Sequence, residues 1–168
     1  MKRALPQKQK ILVMGVGNLL MGDEGVGVHI VRRLAEASVA YAALPPQAEL
    51  LDGGTGGFHL LSYLADYPAV VMVDATLDRR PPGTVTLTRP SHAAHFPGTL
   101  SAHDIGLRDL VESAELLGHL PAMSLVTVSI AGYPEMGLEL SPEIEAAIPE
   151  AIAMIQTAVR NEAKSLPP

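Results

Sequence analysis

Four short apolar runs constrain the fold of this 168-residue chain more than any other feature. They cover residues 10–16, 48–52, 69–75 and 124–130. Three of them are almost continuously apolar instead of alternating with polar residues, which is typical of strands buried on both faces. Such strands usually lie side by side in a parallel sheet that is covered by helices on both sides.

Helical patterns separate these runs, at residues 24–42, 57–66, 103–117 and 142–161. This alternation predicts an α/β fold, a three-layer αβα sandwich with a twisted, mostly parallel sheet of about five strands. The fifth strand is expected at residues 83–90, where Val85 and Leu87 alternate with threonines. Alternation indicates a half-exposed strand, so we expect an edge strand that is antiparallel to its neighbour.

The chain length and a hydrophobic fraction of 48% predict a single domain over residues 1–168, with flexible tails at 1–9 and 162–168. The basic residues near the start precede an apolar run and so resemble a signal peptide. Gly15, Gly17 and Asn18 interrupt that run and acidic residues follow at once, so we expect a cytoplasmic protein. No stretch is long and apolar enough to predict a membrane span.

Composition excludes several classes of function. A net charge of −6 and the absence of Trp argue against a nucleic-acid partner, which requires cationic side chains and aromatic platforms. The chain contains no Cys, so disulfides, thiolate metal sites and a cysteine nucleophile are excluded. The sequence also lacks the G-x-S-x-G and H-E-x-x-H patterns of serine hydrolases and zinc peptidases.

Two adjacent carboxylates, Asp23 and Glu24, follow the first predicted strand in the glycine-rich segment GNLLMGDEGVG. Acids at a helix start commonly cap backbone N–H groups, and this interpretation suits Asp23. Gly25 and Gly27 each destabilise a helix by about 1 kcal/mol relative to alanine. We therefore expect something to pack against the backbone beside Glu24, and a ligand or partner is the simplest candidate.

Ligands of open α/β sheets bind beyond the carboxyl ends of the strands, so the residues that follow each strand are the candidates for function. The candidates in these positions are Asn18, Asp23, Glu24, Asp52, Gly53, Gly54, Thr55, Asp74 and His103. Glu24, Asp74 and His103 would together supply two carboxylates and one imidazole, a donor set that suits a divalent metal. Taken singly, Asp74 could merely cap a turn and His103 could be a solvated helix-start residue.

Two other patterns in the sequence could suggest a binding site. His92 and His95 have the spacing of a small metal clip, but they lie between prolines and are predicted to occupy a solvated loop. The segment GVGNLL begins like a dinucleotide-binding fingerprint, and Asp52 stands where a ribose-binding acid would lie. The third glycine of that fingerprint is Leu20, however, so an oxidoreductase is the weaker alternative.

Five blocks of the chain, in order, resemble the endopeptidases that mature nickel-iron hydrogenases. The blocks are ILVMGVGNLLMGDEGVGVHIVRRL, DGGTGG, VVMVDA, SAHDIGLRDLV and MGLELSPEI. The resemblance implies a protease that removes a short C-terminal extension from the large-subunit precursor after nickel insertion. It also implies that Glu24, Asp74 and His103 form the metal-recognising cluster on which cleavage depends.

Further expectations follow from this resemblance. The nickel would be carried by the substrate, and the glycines would let the large substrate approach. Asn18, Asp23, Asp52, Gly53, Gly54 and Thr55 are candidates for substrate contact. A metal-polarised water is the expected nucleophile, while the group that accepts its proton stays open. A non-enzymatic protein that checks or carries nickel with the same cluster is the alternative from another functional class.

Overall fold

The computed structural model describes residues 7–36, 44–98, 107–132 and 136–166. Its sheet contains five strands: β1 (Ile11–Gly15), β2 (Ala48–Asp52), β3 (Ala69–Thr76), β4 (Val85–Thr88) and β5 (Ala122–Ser129). Their order across the sheet is β2-β1-β3-β5-β4. All neighbours are parallel except β4, which is antiparallel to β5 and lies at the edge. The predicted sheet and its antiparallel edge strand are therefore confirmed.

Within the described residues, four α-helices cover the sheet: α1 (Val26–Ala35), α2 (Leu61–Asp66), α3 (Leu107–Leu116) and α4 (Pro142–Ala163). Short 3-10 turns, Gly22–Gly25 and Phe58–Leu60, precede α1 and α2 where the sequence predicted continuous α-helix. Residues 37–42 and 103–106 of the predicted helices lie outside the described residues. In the described part of the chain, no helix combines the length and apolarity that crossing a membrane requires.

The end of α4 corrects the predicted tail. Glu162 belongs to this helix and is fully buried, although the sequence predicted a flexible tail from residue 162. Its carboxylate accepts hydrogen bonds from Ser124 Oγ at 2.7 Å and from an Arg89 guanidinium N–H at 3.1 Å. A buried carboxylate needs such partners, and these two join the helix to β5 and to the end of β4.

Side-chain alternation divides the core into two layers. Ile11 and Val13 of β1 point into a layer formed with α1 and α4, whereas Leu12 and Met14 point into a layer formed with α2 and α3. The same alternation runs through β3 and β5, because parallel neighbours are paired in register. Both faces of the central strands are therefore buried, as their continuous apolar sequence predicts.

The start of α1 lies unusually close to the sheet. A Cβ atom on Gly27 would stand 2.2 Å from the Val73 carbonyl oxygen and 2.4 Å from that of Val16. A Cβ on Gly17 would stand 2.2 Å from the carbonyl oxygen of Glu24. Gly25 likewise faces the backbone of Asn18 and Leu19, so the backbone that packs against Gly25 and Gly27 is the chain's own, and not a ligand or partner as the sequence suggested.

Two loops at the carboxyl edge of the sheet are joined by backbone hydrogen bonds. The loop after β1 and the loop after β5 meet where Gly22 N–H donates to the Gly137 carbonyl at 2.7 Å and Gly137 N–H donates to the Leu20 carbonyl at 2.9 Å. Asp23 Oδ1 accepts a third bond, 2.6 Å long, from the N–H of Ser141, which precedes α4. The segment that leads into α4 is therefore attached to the start of α1.

The substitution Gly27→Ala tests the close contact of α1 with the sheet. The new methyl group would collide with two backbone carbonyls, which cannot move without displacing β1 or β3. We expect a loss of about 2 kcal/mol or more in the free energy of unfolding, measured by urea denaturation. Gly98→Ala is the matched control, because a Cβ there meets no described atom within 4 Å. Equal effects of the two substitutions would contradict this account.

His29 of α1 lies beneath the segment that joins β5 to α4. Burial lowers the pKa of its imidazole, and the positive charges of Arg33 and Arg32 lower it further. The Glu145 carboxylate and the Leu138 carbonyl oppose this shift without reversing it. The folded protein therefore holds His29 in its neutral form at neutral pH.

The lowered pKa makes stability depend on pH. Below the ordinary value of about 6.5, the unfolded chain binds a proton at His29 that the folded protein excludes. The contribution of neutral His29 to the free energy of unfolding is therefore complete above about pH 6.5. It is lost as the pH falls toward the pKa of His29 in the folded protein. We expect the free energy of unfolding to fall more between pH 7.5 and 5.5 in the wild type than in His29→Gln. If the free energies of unfolding of the two proteins changed in parallel with pH, the lowered pKa of His29 would be disproved.

Candidate functional site

Glu24 lies in the 3-10 turn Gly22–Gly25, between the end of β1 and the start of α1. Only 4% of its surface is exposed, an unusual burial for a carboxylate. Its carbonyl faces Gly17, and its N–H donates to the Met21 carbonyl at 3.2 Å. The close contact of this turn with β1 therefore fixes the backbone of Glu24.

Asp74 is fully buried within β3, two residues before the strand ends at Thr76. Its Oδ1 accepts a 2.8 Å hydrogen bond from the N–H of Ala75, which holds that oxygen in place. Val73 and Ala75 point into the layer of α1 and α4, so Asp74 points toward the layer of α2 and α3.

Backbone contacts bring the two acids to the same edge of the sheet. Val16 N–H donates to the Val73 carbonyl at 2.9 Å, so the loop after β1 begins beside Asp74. The same Val73 carbonyl faces Gly27, three residues after Glu24. These contacts attach the loop after β1 and the start of α1 to the carboxyl end of β3.

The third member of the predicted cluster, His103, lies outside the described residues. Within the described ranges, no group of three or more His, Asp or Glu side chains is arranged to hold a metal ion. The cluster of Glu24, Asp74 and His103 is therefore still a prediction at this point.

Two of the predicted contact residues have structural roles in the loop after β1. Asn18 Oδ1 accepts a 3.0 Å hydrogen bond from Leu20 N–H and so shapes the turn. Asp23 was interpreted as a cap of its own helix, but it bonds instead to the backbone N–H of Ser141, 118 positions further along the chain. Asp23 therefore attaches one loop of this edge to another, and the cap interpretation is wrong.

The loop after β2 is also attached to β1. Gly53 N–H donates to the Gly15 carbonyl, and Gly17 N–H donates to the Gly54 carbonyl, each at 2.8 Å. Asp52 accepts bonds from Arg32 Nε at 2.7 Å and from Gly54 N–H at 2.9 Å. Both carboxylate oxygens of Asp52 are therefore engaged within the protein. This arrangement does not favour the binding of a ribose by Asp52, and so it does not favour a dinucleotide site.

The surface of this loop nevertheless remains accessible. Gly54 has a φ of +55°, and a Cβ atom there would meet no described atom within 4 Å. Thr55 beside it is exposed. An extended chain could thus approach the backbone of Gly54 and Thr55 without displacing a side chain of the described residues.

His92 and His95 lie away from the two acids. His92 Nδ1 is 2.9 Å from Glu115 Oε1, and the other oxygen of Glu115 accepts a 3.0 Å bond from the N–H of Ala93. His95 Nδ1 is 3.2 Å from Ser91 Oγ. These contacts attach the turn Ala93–His95 to α3, so His92 has a specific partner that the predicted solvated loop did not include.

Sequence reasoning missed a set of buried polar residues beside Asp74. Asp74 is paired in register with Thr127, and Thr76 is paired with Ser129. All four side chains point to the α2 and α3 face and are at most 4% exposed. On the same face, the preceding pairs Val70–Met123 and Met72–Leu125 are apolar, so only the carboxyl end of these strands is polar. The signal in the sequence was the pair of hydroxyl residues within the apolar run TVSI.

Comparisons with known proteins agree on one family. The family model for the hydrogenase maturation proteases, HycI, matches residues 28–158. The hydrogenase expression/formation protein HupD of Rhodobacter capsulatus is 36% identical over 148 residues, which is 86% of this chain and 69% of that protein. The hydrogenase 2 maturation protease of Escherichia coli is 34% identical over 153 residues, which is 90% of this chain and 91% of that protein.

Solved structures show the same fold. The hydrogenase maturating endopeptidase HybD of E. coli superposes with a TM-score of 0.78 at 35% identity, covering 91% of this chain and 93% of that one. A hydrogenase 2 maturation peptidase from a Thaumarchaeota archaeon gives a TM-score of 0.66 at 30% identity, covering 89% of this chain and 97% of that one. In sequence and in fold alike, this chain belongs to the hydrogenase maturation proteases.

Proposed function

We propose that this protease removes a short C-terminal extension from the nickel-loaded precursor of a nickel-iron hydrogenase large subunit, in the cytoplasm. Glu24, Asp74 and His103 recognise the nickel that the precursor carries. The observation that carries the proposal is the burial of two carboxylates, Glu24 and Asp74, at the edge where a parallel sheet binds its ligands.

The topology supports the inclusion of His103. α3 leads into β5, which runs parallel to β3, so α3 begins at the carboxyl edge and ends at the opposite edge. It packs on the face to which Asp74 points. His103 precedes the first residue of α3 by four positions, and four residues span at most about 14 Å. The imidazole is thus within chain reach of the edge that holds both acids.

The three donors suit the proposed metal. Two carboxylate oxygens and one imidazole nitrogen bind divalent first-row ions, and three protein ligands leave positions for groups of the substrate. Nickel held there would polarise the scissile carbonyl or a water molecule. The chain contributes no Cys nucleophile, so water is the proposed attacking group.

The glycine-rich loop after β2 is the proposed place for the substrate backbone. Gly53 and Gly54 hold this loop against β1 through backbone hydrogen bonds, while Gly54 and Thr55 face outward. Asn18 shapes the neighbouring loop. The extension of the precursor would lie across these residues with its scissile bond directed toward Glu24 and Asp74.

A non-enzymatic protein that checks or carries nickel could use the same three ligands. Incubation with the purified nickel-loaded precursor distinguishes the two functions. The protease lowers the mass of the precursor by that of the extension, whereas a carrier leaves the mass unchanged. Co-expression with each candidate large subunit, followed by mass spectrometry, identifies the substrate.

Substitution of the proposed ligands should damage cleavage without damaging the fold. Glu24→Gln and Asp74→Asn keep the size of each side chain but remove its charge, and His103→Ala removes the nitrogen donor. We expect each variant to cleave the nickel-loaded precursor about 100-fold more slowly, with circular dichroism unchanged. An acid that only supported a helix start would alter stability by about 0.3 to 1 kcal/mol and leave cleavage intact.

His119→Ala is the matched control for His103→Ala, because His119 is exposed and lies at the opposite edge of the sheet. His92→Ala is less suitable, since His92 contacts Glu115 of α3. Near wild-type cleavage by both Glu24→Gln and His103→Ala would exclude the proposed cluster.

Removal of nickel from the precursor should also stop cleavage. The proposed recognition requires the metal, so precursor produced without nickel should remain unprocessed even at equimolar enzyme. Restoring nickel to the precursor should restore the loss of mass. The measurement is mass spectrometry of the precursor over time, and processing of metal-free precursor at the normal rate would contradict nickel recognition.

A further inference from the structure

Large apolar side chains are concentrated around the proposed active edge. Within the described residues, six large hydrophobic side chains are exposed, and four of them belong to loops at the carboxyl edge of the sheet: Leu20, Phe58, Met136 and Leu138. The other two, Leu116 and Leu117, lie at the end of α3 on the opposite edge. Exposed apolar side chains that cluster in this way commonly mark an interaction site.

Backbone hydrogen bonds bring three of these residues onto adjacent segments, and we call the three the apolar ridge (Leu20, Met136 and Leu138). Gly137 N–H bonds to the Leu20 carbonyl at 2.9 Å, so the neighbours of Gly137 flank Leu20. The exposed fractions are 55% for Leu20, 81% for Met136 and 64% for Leu138. The ridge is held in place on both sides, since Gly22 and Asp23 bond to Gly137 and Ser141.

The position of the ridge determines what can cover it. Leu20 precedes Glu24 by four residues, so the two Cα atoms are at most about 14 Å apart. A specific protein interface buries roughly 800 Å² on each partner, a patch about 30 Å across. The ridge therefore lies within the span of an interface of ordinary size centred on Glu24, where the folded body of a substrate would bind.

We infer that the apolar ridge is a docking surface for the folded body of the large-subunit precursor, and that it binds an apolar patch next to the extension. This inference rests on the proposed function. It adds a second recognition element, because docking on the ridge depends on shape and apolar contact, whereas the proposed cluster depends on nickel. The ridge should therefore bind nickel-free precursor as well as nickel-loaded precursor.

The double substitution Leu20→Gln with Met136→Gln tests the ridge. Both side chains are exposed, so the fold should not change, and glutamine adds no charge near Glu24. We expect KM for the nickel-loaded precursor to rise about tenfold with kcat within twofold of the wild type. We also expect about tenfold weaker binding of nickel-free precursor, measured by biolayer interferometry. Leu116→Gln is the control, since Leu116 is 84% exposed at the opposite edge.

The binding measurement separates this inference from the proposed function. Cleavage by the wild type, combined with unchanged KM and binding in the double variant, would overturn docking on the ridge and leave the protease function intact. Weaker binding in the double variant without any cleavage by the wild type would support docking and contradict the function. Failure of the wild type to bind nickel-free precursor would overturn the inference, as would a dimer of this chain that dissociates in the double variant.

Discussion

The contact between the start of α1 and the carboxyl ends of β1 and β3 is the constraint on which the rest of the site depends. Gly27 faces the carbonyls of Val16 and Val73, and Gly17 faces the carbonyl of Glu24. Because no side chain separates these backbones, the helix cannot shift without moving both central strands. The backbones of Glu24 and Asp74 are therefore positioned by the core of the fold and not by a loop.

The same edge is stabilised by contacts between loops that are distant in sequence. The loop after β1 bonds to the loop after β2 through Gly17 and Gly54, and to the loop after β5 through Gly22 and Gly137. Asp23 and Asp52, which the sequence offered as candidates for substrate contact, are engaged with Ser141 and Arg32. The acids at this edge thus fall into two groups, those that attach loops to one another and those buried at the proposed metal position.

The fold followed from the sequence because continuous apolar runs specify buried strands, and these runs predicted every strand to within two residues at each end. The boundary between 3-10 turn and α-helix at Gly25 was not predictable, because it depends on tertiary contact with Gly17. The partner of Asp23 could not be predicted either, since it lies 118 residues away. Local patterns cannot encode such pairings.

The role of His103 came from family resemblance, because no local spacing connects it with Glu24 and Asp74.

Burial of the two proposed metal ligands would strengthen the proposed dependence of cleavage on nickel. The attraction between a carboxylate and a cation grows as the effective dielectric constant falls, so Glu24, at 4% exposure, and Asp74, fully buried, would bind a metal more strongly than surface acids. A nickel ion carried by the precursor would contribute this attraction only when the scissile region of the precursor is bound beside Glu24 and Asp74. The apolar ridge would add binding that is independent of the metal. Docking would then select the correct protein, and the buried carboxylates would select its nickel-loaded form.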